Sequence, residues 1–330
     1  MSTQTLAGPR LARRRGPVLT LLCWLAVAPL ALWAVVRLGG LERGPLVQLV
    51  AFTPYAAAAS PLPLVLALAL RRWGPAALAT LAALALVGAV APRAIADDGT
   101  VASGPELRVL TANVLGGAGD PAALVGLVRD ARVDVLALQE FDPGTGAALD
   151  RLGLVTLLPY RQLNPVADAS GSALYSRYPL TDGGVRRNAG GFTQAYGTLR
   201  VPGAPAVLVE SVHPASPYSL AMLDDWRDDL RAEPPATPRG PLRILAGDFN
   251  ATLDHAPLRD LLDTGYADAA ATAGAGLAGT WGPYDGDPIP PVTIDHVLVD
   301  RRIGVRRVAV HPPAGSDHRP VLAELTLPAG

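Results

Sequence analysis

The chain has 330 residues, enough for one large domain or two ordinary ones, with half of them hydrophobic and a formal net charge of −1. All 28 basic residues are arginine, and without lysine a Walker-type phosphate loop is excluded. One cysteine excludes an internal disulfide, and the lack of HExxH or paired Cys/His spacing excludes the common zinc motifs.

The apolar residues are concentrated at the start. Three stretches, Pro17 to Val36, Leu46 to Leu70 and Trp73 to Val90, are almost free of charge. Each approaches the roughly 20 residues a helix needs to cross a ~30 Å hydrocarbon core. Pro54, Pro61 and Pro63 are expected to kink the second. The competing reading, a cleaved signal peptide followed by core helices, fits poorly with later stretches so long and uniformly apolar. Arg10, Arg13, Arg14 and Arg15 precede the first stretch, and Arg71 and Arg72 separate the second from the third. The positive-inside rule then puts the N-terminus in the cytoplasm and, after three spans, the rest of the chain outside the plasma membrane. Cys23 reads as a free thiol buried in the first span.

Charge divides at Asp97. The part before it carries nine arginines and one acid, net +8; the part from Asp97 on is net −9. An acidic domain is a poor partner for a polyanion. The resulting organisation is 1–92, a tail and three transmembrane helices; 93–105, a linker; and 106–330, the outer domain.

Along the outer domain, "ELRVLTANV" (106–114) and "VDVLALQE" (133–140) read as strands. "DPAALVGLVRDAR" (120–132) between them reads as a helix with an Asp-Pro start. "SALYSRYPL" (172–180), "YGTLRV" (196–201) and "AVLVESVH" (206–213) are further strands, followed by an amphipathic helix over 219–233. "LRILAGDFN" (242–250) is a strand before a short helix from Ala256 to Asp263. "IDHVLVD" (294–300), "VRRVAV" (305–310) and "VLAELTL" (321–327) close the chain. The Pro/Gly-rich tracts 183–191, 234–241 and 273–291 read as loops. So many strands with so few helices imply an α/β fold of two packed mixed sheets with helices outside.

Several strands stop at a residue that binds metal or moves protons: Asn113, Glu140, His213, Asp248 with Asn250, Asp295 at the start of its strand, and Asp317-His318 before the last. Three of the five histidines, His255, His296 and His318, directly follow an aspartate. His255 reads as a helix-start residue without a chemical role, and His311 has no inferable partner. Ligand sites in α/β proteins gather at strand ends. Carboxylates with an amide oxygen suit Mg2+ or Mn2+. A further carboxylate takes a proton from water, and a histidine held by an acid stabilises phosphate oxygens or protonates a leaving group.

These segments, "LTANV", "DVLALQE", "ESVHP", "LAGDFNA", "IDHVLV" and "SDHRPV", resemble the endonuclease/exonuclease/phosphatase superfamily, from about Glu106 to Thr326. Its members include deoxyribonucleases, apurinic-site endonucleases, inositol-polyphosphate 5-phosphatases and sphingomyelinases. The resemblance implies a four-layer α/β sandwich, here preceded by the three transmembrane helices that hydropathy predicts, and metal-dependent phosphoester hydrolysis. It implies that Glu140 is the principal metal ligand, supported by Asn113 and Asp317. Asp248 would activate water, Asn250 would orient water or phosphate, and Asp295 would fix His318 against the phosphate. His213 would be the acid near the leaving group. Ser176 and Arg177 match a family segment in which the arginine is structural, and Trp281 is expected to pack. With three spans in front, the chain is similar to bacterial teicoplanin-resistance membrane proteins, which implies a lipid-linked pyrophosphate as substrate and the bilayer as partner. An extracytoplasmic nuclease is the alternative, and a catalytically dead binding module would require a lost motif residue; none is lost.

Overall fold

A computed structural model describes residues 11–97, 102–282, 288–313 and 315–330, with side chains from Gly16 onward. Arg10, the side chains of Arg13–Arg15, linker positions 98–101 and positions 283–287 of the last loop tract lie outside the described residues. Two compact units emerge: one from residues up to Leu41 with Phe52–Val90, the other from Glu42–Ala51 with Ala91–Gly330.

The N-terminal helices are α1 (Leu11–Gly39), α2 (Leu46–Val50), α3 (Thr53–Ala59), α4 (Pro61–Ala69) and α5 (Trp73–Val90). The expected middle span, Leu46 to Leu70, is not one helix. Its first turn, α2, belongs to the other unit. Pro54 and Pro61 each open a new helix, where a missing N–H is harmless but continuation from the preceding residues is blocked. Two helices, Gly16–Gly39 and Trp73–Ala94, are long and apolar enough to cross a membrane, and Thr53–Ala69 is shorter. The expectation of three long transmembrane helices is corrected to these two plus a shorter broken segment. About a sixth of the most apolar window of the first long helix and a third of that of the second are buried. Small residues make the contacts: Ala34, Ala57 and Ala82 pack with Leu86 and Val90, and Cys23 is buried with Ala67 and Ala76.

The second unit holds strands β1 (Glu106–Asn113), β2 (Val135–Gln139), β3 (Tyr160–Asn164), β4 (Ser172–Ser176), β5 (Leu180–Arg187), β6 (Thr193–Leu199), β7 (Val207–Val212), β8 (Leu242–Asp248), β9 (Tyr266–Asp268), β10 (Asp295–Asp300), β11 (Gly304–Val310) and β12 (Val321–Thr326). Helices α6 (Pro121–Asp130), α7 (Pro143–Arg151), α8 (Leu154–Leu157), α9 (Leu223–Arg231), α10 (Ala256–Asp263) and α11 (Ala269–Thr272) intervene. The sheets are β11-β12-β1-β2-β4-β3 and β5-β6-β7-β8-β10-β9. Both are mixed: β1/β2 and β7/β8 are parallel and the other pairs antiparallel.

Strand parity builds the layers. Leu107 and Val109 of β1, Val135 and Ala137 of β2, Val207 and Val209 of β7, and Ile244 and Ala246 of β8 meet in one core between the sheets. Their neighbours point outward. Leu110, Leu136 and Leu138 pack with Leu124, Val125 and Val128 of α6. Val212, Leu245 and Leu298 pack with Trp226 and Leu230 of α9 and Leu258 of α10. Helix, sheet, sheet, helix is the arrangement the sequence implied. Each such buried Val, Leu or Ile contributes about 1.5–3 kcal/mol.

The segment "SALYSRYPL" divides into β4 and β5, and β5 extends into the tract read as a loop. Gly183-Gly184 lies at a register shift, and the strand is mostly exposed, so apolar alternation is missing. Arg93–Asp97, expected as linker, is packed into this unit: Arg93 forms a two-pronged pair with buried Asp254 at 2.7 and 2.6 Å, and Ala96 bridges Ala273.

Gly247 allows β7 and β8 their close approach, since a Cβ there would lie 1.9 Å from the Val212 carbonyl oxygen. Gly247→Ala is expected to cost about 1–3 kcal/mol of stability, read as a lowered midpoint in urea unfolding of the detergent-solubilised protein.

Candidate active site

The inward row that is apolar along most of each strand turns polar at one end. β1 ends in Thr111 and Asn113, β2 in Gln139, β7 in Ser211 and then His213, β8 in Asp248, and β10 starts with Asp295. Asp295 and Asp248 are register partners, as are Asn113 and Gln139. The floor is a closed hydrogen-bond set: Thr111 Oγ1 donates to Gln139 Oε1 (3.2 Å), Gln139 Nε2 to Ser211 Oγ (2.9 Å), and Ser211 Oγ to Leu138 O (2.9 Å). It joins the two sheets beneath the site without leaving a buried polar group unpaired.

Above this floor the expected residues converge. The Asn113 side-chain NH2 donates to Glu140 Oε1 at 3.0 Å and to Asp248 Oδ2 at 3.1 Å. Its oxygen accepts from Leu115 N at 3.0 Å, so here Asn113 faces the carboxylates as a donor bridge. Glu140 and Asn250 both adopt positive φ, 55° and 49°. These left-handed turns, uncommon for residues with a Cβ, occur just past the ends of β2 and β8. Asp248 Oδ1 accepts from Asn250 N at 2.8 Å, and Asn250 Nδ2 donates to Pro214 O at 3.1 Å. Asp317 Oδ2 accepts from the Trp281 indole N–H at 2.9 Å, so Trp281 orients a carboxylate as well as packing.

His318 Nδ1 lies 2.9 Å from Asp295 Oδ2, and its Nε2 lies 3.6 Å from Asp248 Oδ2. Burial pulls this imidazole down, but the carboxylates of Asp295 and Asp248 outweigh burial and push it up to about 10. His318 is therefore an imidazolium at neutral pH. Its interactions with the carboxylates stabilise the fold fully below the unfolded histidine value near 6.5, and are lost as pH rises through about 10. Burial drives His213 the other way, to about 4. Its Nε2 is 3.8 Å from Asp248 Oδ2, its Nδ1 has no hydrogen-bond partner among the described residues, and Phe192 packs edge-on against its ring. At neutral pH His213 is an uncharged hydrogen-bonding group, which weakens the acid role that the resemblance implies.

Burial raises the Glu140 carboxyl, offset by the Asn113 hydrogen bond and reinforced by the charges of Asp248 and Asp317. Burial likewise raises Asp248. Asp248, Asp295 and His318 offer ligand atoms within 4.8 Å of one another. A charged imidazole does not ligate metal, however, and Asp295 is engaged with it. Four carboxylates, Glu140, Asp248, Asp295 and Asp317, face one imidazolium. The excess of hard oxygen donors fits a divalent cation such as Mg2+ or Mn2+, with Glu140 and Asp317 the carboxylates free of the His318–Asp295 pair.

Other expectations resolve structurally. His255 accepts from Thr252 N through Nδ1 (2.8 Å) and donates through Nε2 to Val47 O (2.9 Å), remote from any acid–base role. His296 faces two acceptors, Asp268 and Ala251 O, on the other face of β10. Arg177 pairs with Asp134, and Ser176 Oγ accepts from Tyr178 N. Sequence reasoning missed Gln139, Ser211 and Thr111; the signal was their parity with the rest of the polar row.

Asp295→Asn is expected to lower the His318 pKa by at least about one unit, because the lost opposite charge favours the neutral ring. An NMR titration of the metal-free protein reads this directly.

No curated protein matches the chain. The fold is similar to a Beutenbergia cavernae endonuclease/exonuclease/phosphatase structure, with TM-score 0.56 and 20% identity over 68% of this chain and 72% of that one. It is also similar to humanized D. rerio TDP2 (TM-score 0.55, 16% identity, 67% and 99% covered) and to Caenorhabditis elegans TDP2 (TM-score 0.53, 17% identity, 67% and 97% covered). The family model "Endonuclease/Exonuclease/phosphatase family" matches residues 110–318, from within β1 to His318 itself. Since that match takes in most of the chain and every residue of the polar row, the protein belongs to the endonuclease/exonuclease/phosphatase family.

Proposed function

We propose that the chain is a membrane-anchored, divalent-metal-dependent phosphoester hydrolase whose catalytic unit lies outside the plasma membrane and acts on a lipid-linked pyrophosphate. One observation carries the hydrolase reading: Asp248, Glu140 and the His318–Asp295 pair meet at a single end of the inter-sheet core. Asp248 takes a proton from water, its Oδ1 held by Asn250 N and its Oδ2 by Asn113. The His318 imidazolium stabilises charge on the phosphate oxygens. Neutral His213 supplies a hydrogen bond beside them. A divalent cation held by Glu140 and Asp317 would polarise the phosphate.

The lipid reading draws on the apolar helices and on chain connectivity. Glu42–Ala51 and Ala91 onward belong to one unit, so residues 52–90 leave it and return to it. A hairpin crossing, with Thr53–Ala69 as one limb, accounts for that path, and α1 makes the third crossing. Arginine placement puts the N-terminus inside. The net charge of −9 from Asp97 on opposes polyanion binding.

Full-length protein in detergent with Mg2+ is expected to release phosphate from a long-chain polyprenyl pyrophosphate and to leave plasmid DNA intact. DNA cleavage without phosphate release would overturn the substrate in favour of a nuclease.

A further inference from the structure

We infer that the loop following His213, tipped by Tyr218 and Leu220, is a lipid-contacting lip of the active site, so that the phosphate substrate is taken from a membrane surface rather than from bulk water. This rests on the membrane-anchored reading above and deepens it.

The loop is tied to the chemistry at its start. Pro214 O accepts from the side chain of Asn250, and Asn250 N holds Asp248. A few residues on, Gln48 Nε2 donates to Pro217 O at 2.7 Å. Gln48 lies in α2, and only Leu49–Ala51 separate it from the apolar segment that begins at Phe52. Chain length alone keeps Pro217 within roughly 20 Å of the point where the backbone enters that segment.

The α2 attachment is built rather than incidental. Val47 is wholly buried among Trp226, Leu230 and Leu258, and its carbonyl accepts from His255. Glu42 Oε1 accepts from Ala256 N at the start of α10. α2 is therefore fixed to the catalytic unit, and the loop it holds is fixed with it.

Between these anchors the loop presents apolar side chains to solvent. Tyr218 is 77% exposed and Leu220 62%. Single exposed apolar residues need no explanation, but these have company at the same chain junctions. Leu49 in α2 and Ile95, just past α5, are also exposed. Leu277 is exposed beside Gly276, whose N–H donates to Arg93 O. Each lies on, or is bonded to, a segment adjoining the apolar helices. An aromatic ring and aliphatic side chains at such junctions match the composition of a bilayer interface, whereas the unit as a whole is acidic. The occupant that chain continuity selects is the lipid surface. A substrate whose phosphate sits at that surface would reach His318 and Asp248 past this lip.

The test uses the full chain reconstituted in phosphatidylcholine vesicles. A polarity-sensitive dye on Tyr218→Cys, in a Cys23→Ser background, is expected to be quenched by spin-labelled phosphatidylcholine. The reference is Leu152→Cys, at the end of α7 that points away from Glu140, and it is expected to stay bright. The double variant Tyr218→Ser/Leu220→Ser is expected to hydrolyse vesicle-borne polyprenyl pyrophosphate about tenfold more slowly. Its rate on a water-soluble five-carbon isoprenyl pyrophosphate should stay within about twofold of the unsubstituted protein. An unquenched dye at 218, an unchanged rate on vesicles, or equal losses on both substrates overturns the inference. Quenching at 218 without turnover of either pyrophosphate by the unsubstituted protein supports the lip and sinks the substrate reading instead.

Discussion

Asp248→Asn is expected to lower kcat by about two to four orders of magnitude while leaving the unfolding transition close to that of the unsubstituted protein. The substitution keeps the shape, and its one amide oxygen can still accept from Asn250 N, while the NH2 that replaces the second oxygen can no longer accept from Asn113; the basicity and the negative charge are lost. Burial holds the Asp248 carboxyl above its ordinary range, which makes it a stronger base than a surface aspartate once ionised. Losing that group should affect turnover and spare binding, so KM should change little. A comparable rise in KM would assign Asp248 to substrate positioning instead.

His318→Ala should damage both function and fold. The imidazolium is the one positive group facing Asp295 and Asp248 among the described residues of the site. Removing it leaves two buried carboxylates uncompensated, a change that costs roughly 3–5 kcal/mol in comparable buried pairs. Activity should fall by about a hundredfold or more through lost stabilisation of phosphate charge. The two effects separate with pH. The stability loss should be full below about pH 6.5 and shrink as pH rises through about 10, where the imidazolium of the unsubstituted protein itself loses its proton. The activity loss should persist wherever the protein is folded. Unfolding midpoints and single-turnover rates across the pH range check both. A variant as stable as the unsubstituted protein at neutral pH would mean that His318 does not carry the charge assigned to it.

Much of this site was legible because β-strand parity leaves a trace in sequence. In "LAGDFN" and "DVLALQE" an apolar run halts at an acid, and halting there is what a strand does when its end faces a polar site. The same rule explains what a linear reading got only half right. Asp-His pairs looked enriched, yet only one of three lies wholly in the site. In Asp295-His296 the period of two sends the aspartate inward to His318 and the histidine outward to Asp268. Asp254-His255 binds Arg93 and Val47 instead. The true partner of His318 is remote in sequence, and nothing local announces it.

The role of α2 was not legible. Leu46–Val50 is as apolar as the residues that follow, and hydropathy does not distinguish a turn buried against protein from one buried in lipid. The distinction comes from long-range partners, Glu42 with Ala256 and Val47 with His255. β5 was hidden for the opposite reason. It is an edge strand with an irregular register and few buried side chains, so it lacks the alternation by which strands are recognised.

Titration of Mn2+ into the metal-free full-length protein, followed by electron paramagnetic resonance, tests most directly whether these distant carboxylates form one cation-binding centre. The unsubstituted protein should show saturable binding that weakens about tenfold or more in Glu140→Ala and leaves an exposed control such as Asp182→Ala unaffected. Binding of equal affinity in Glu140→Ala, or no saturable binding at all, would contradict the account.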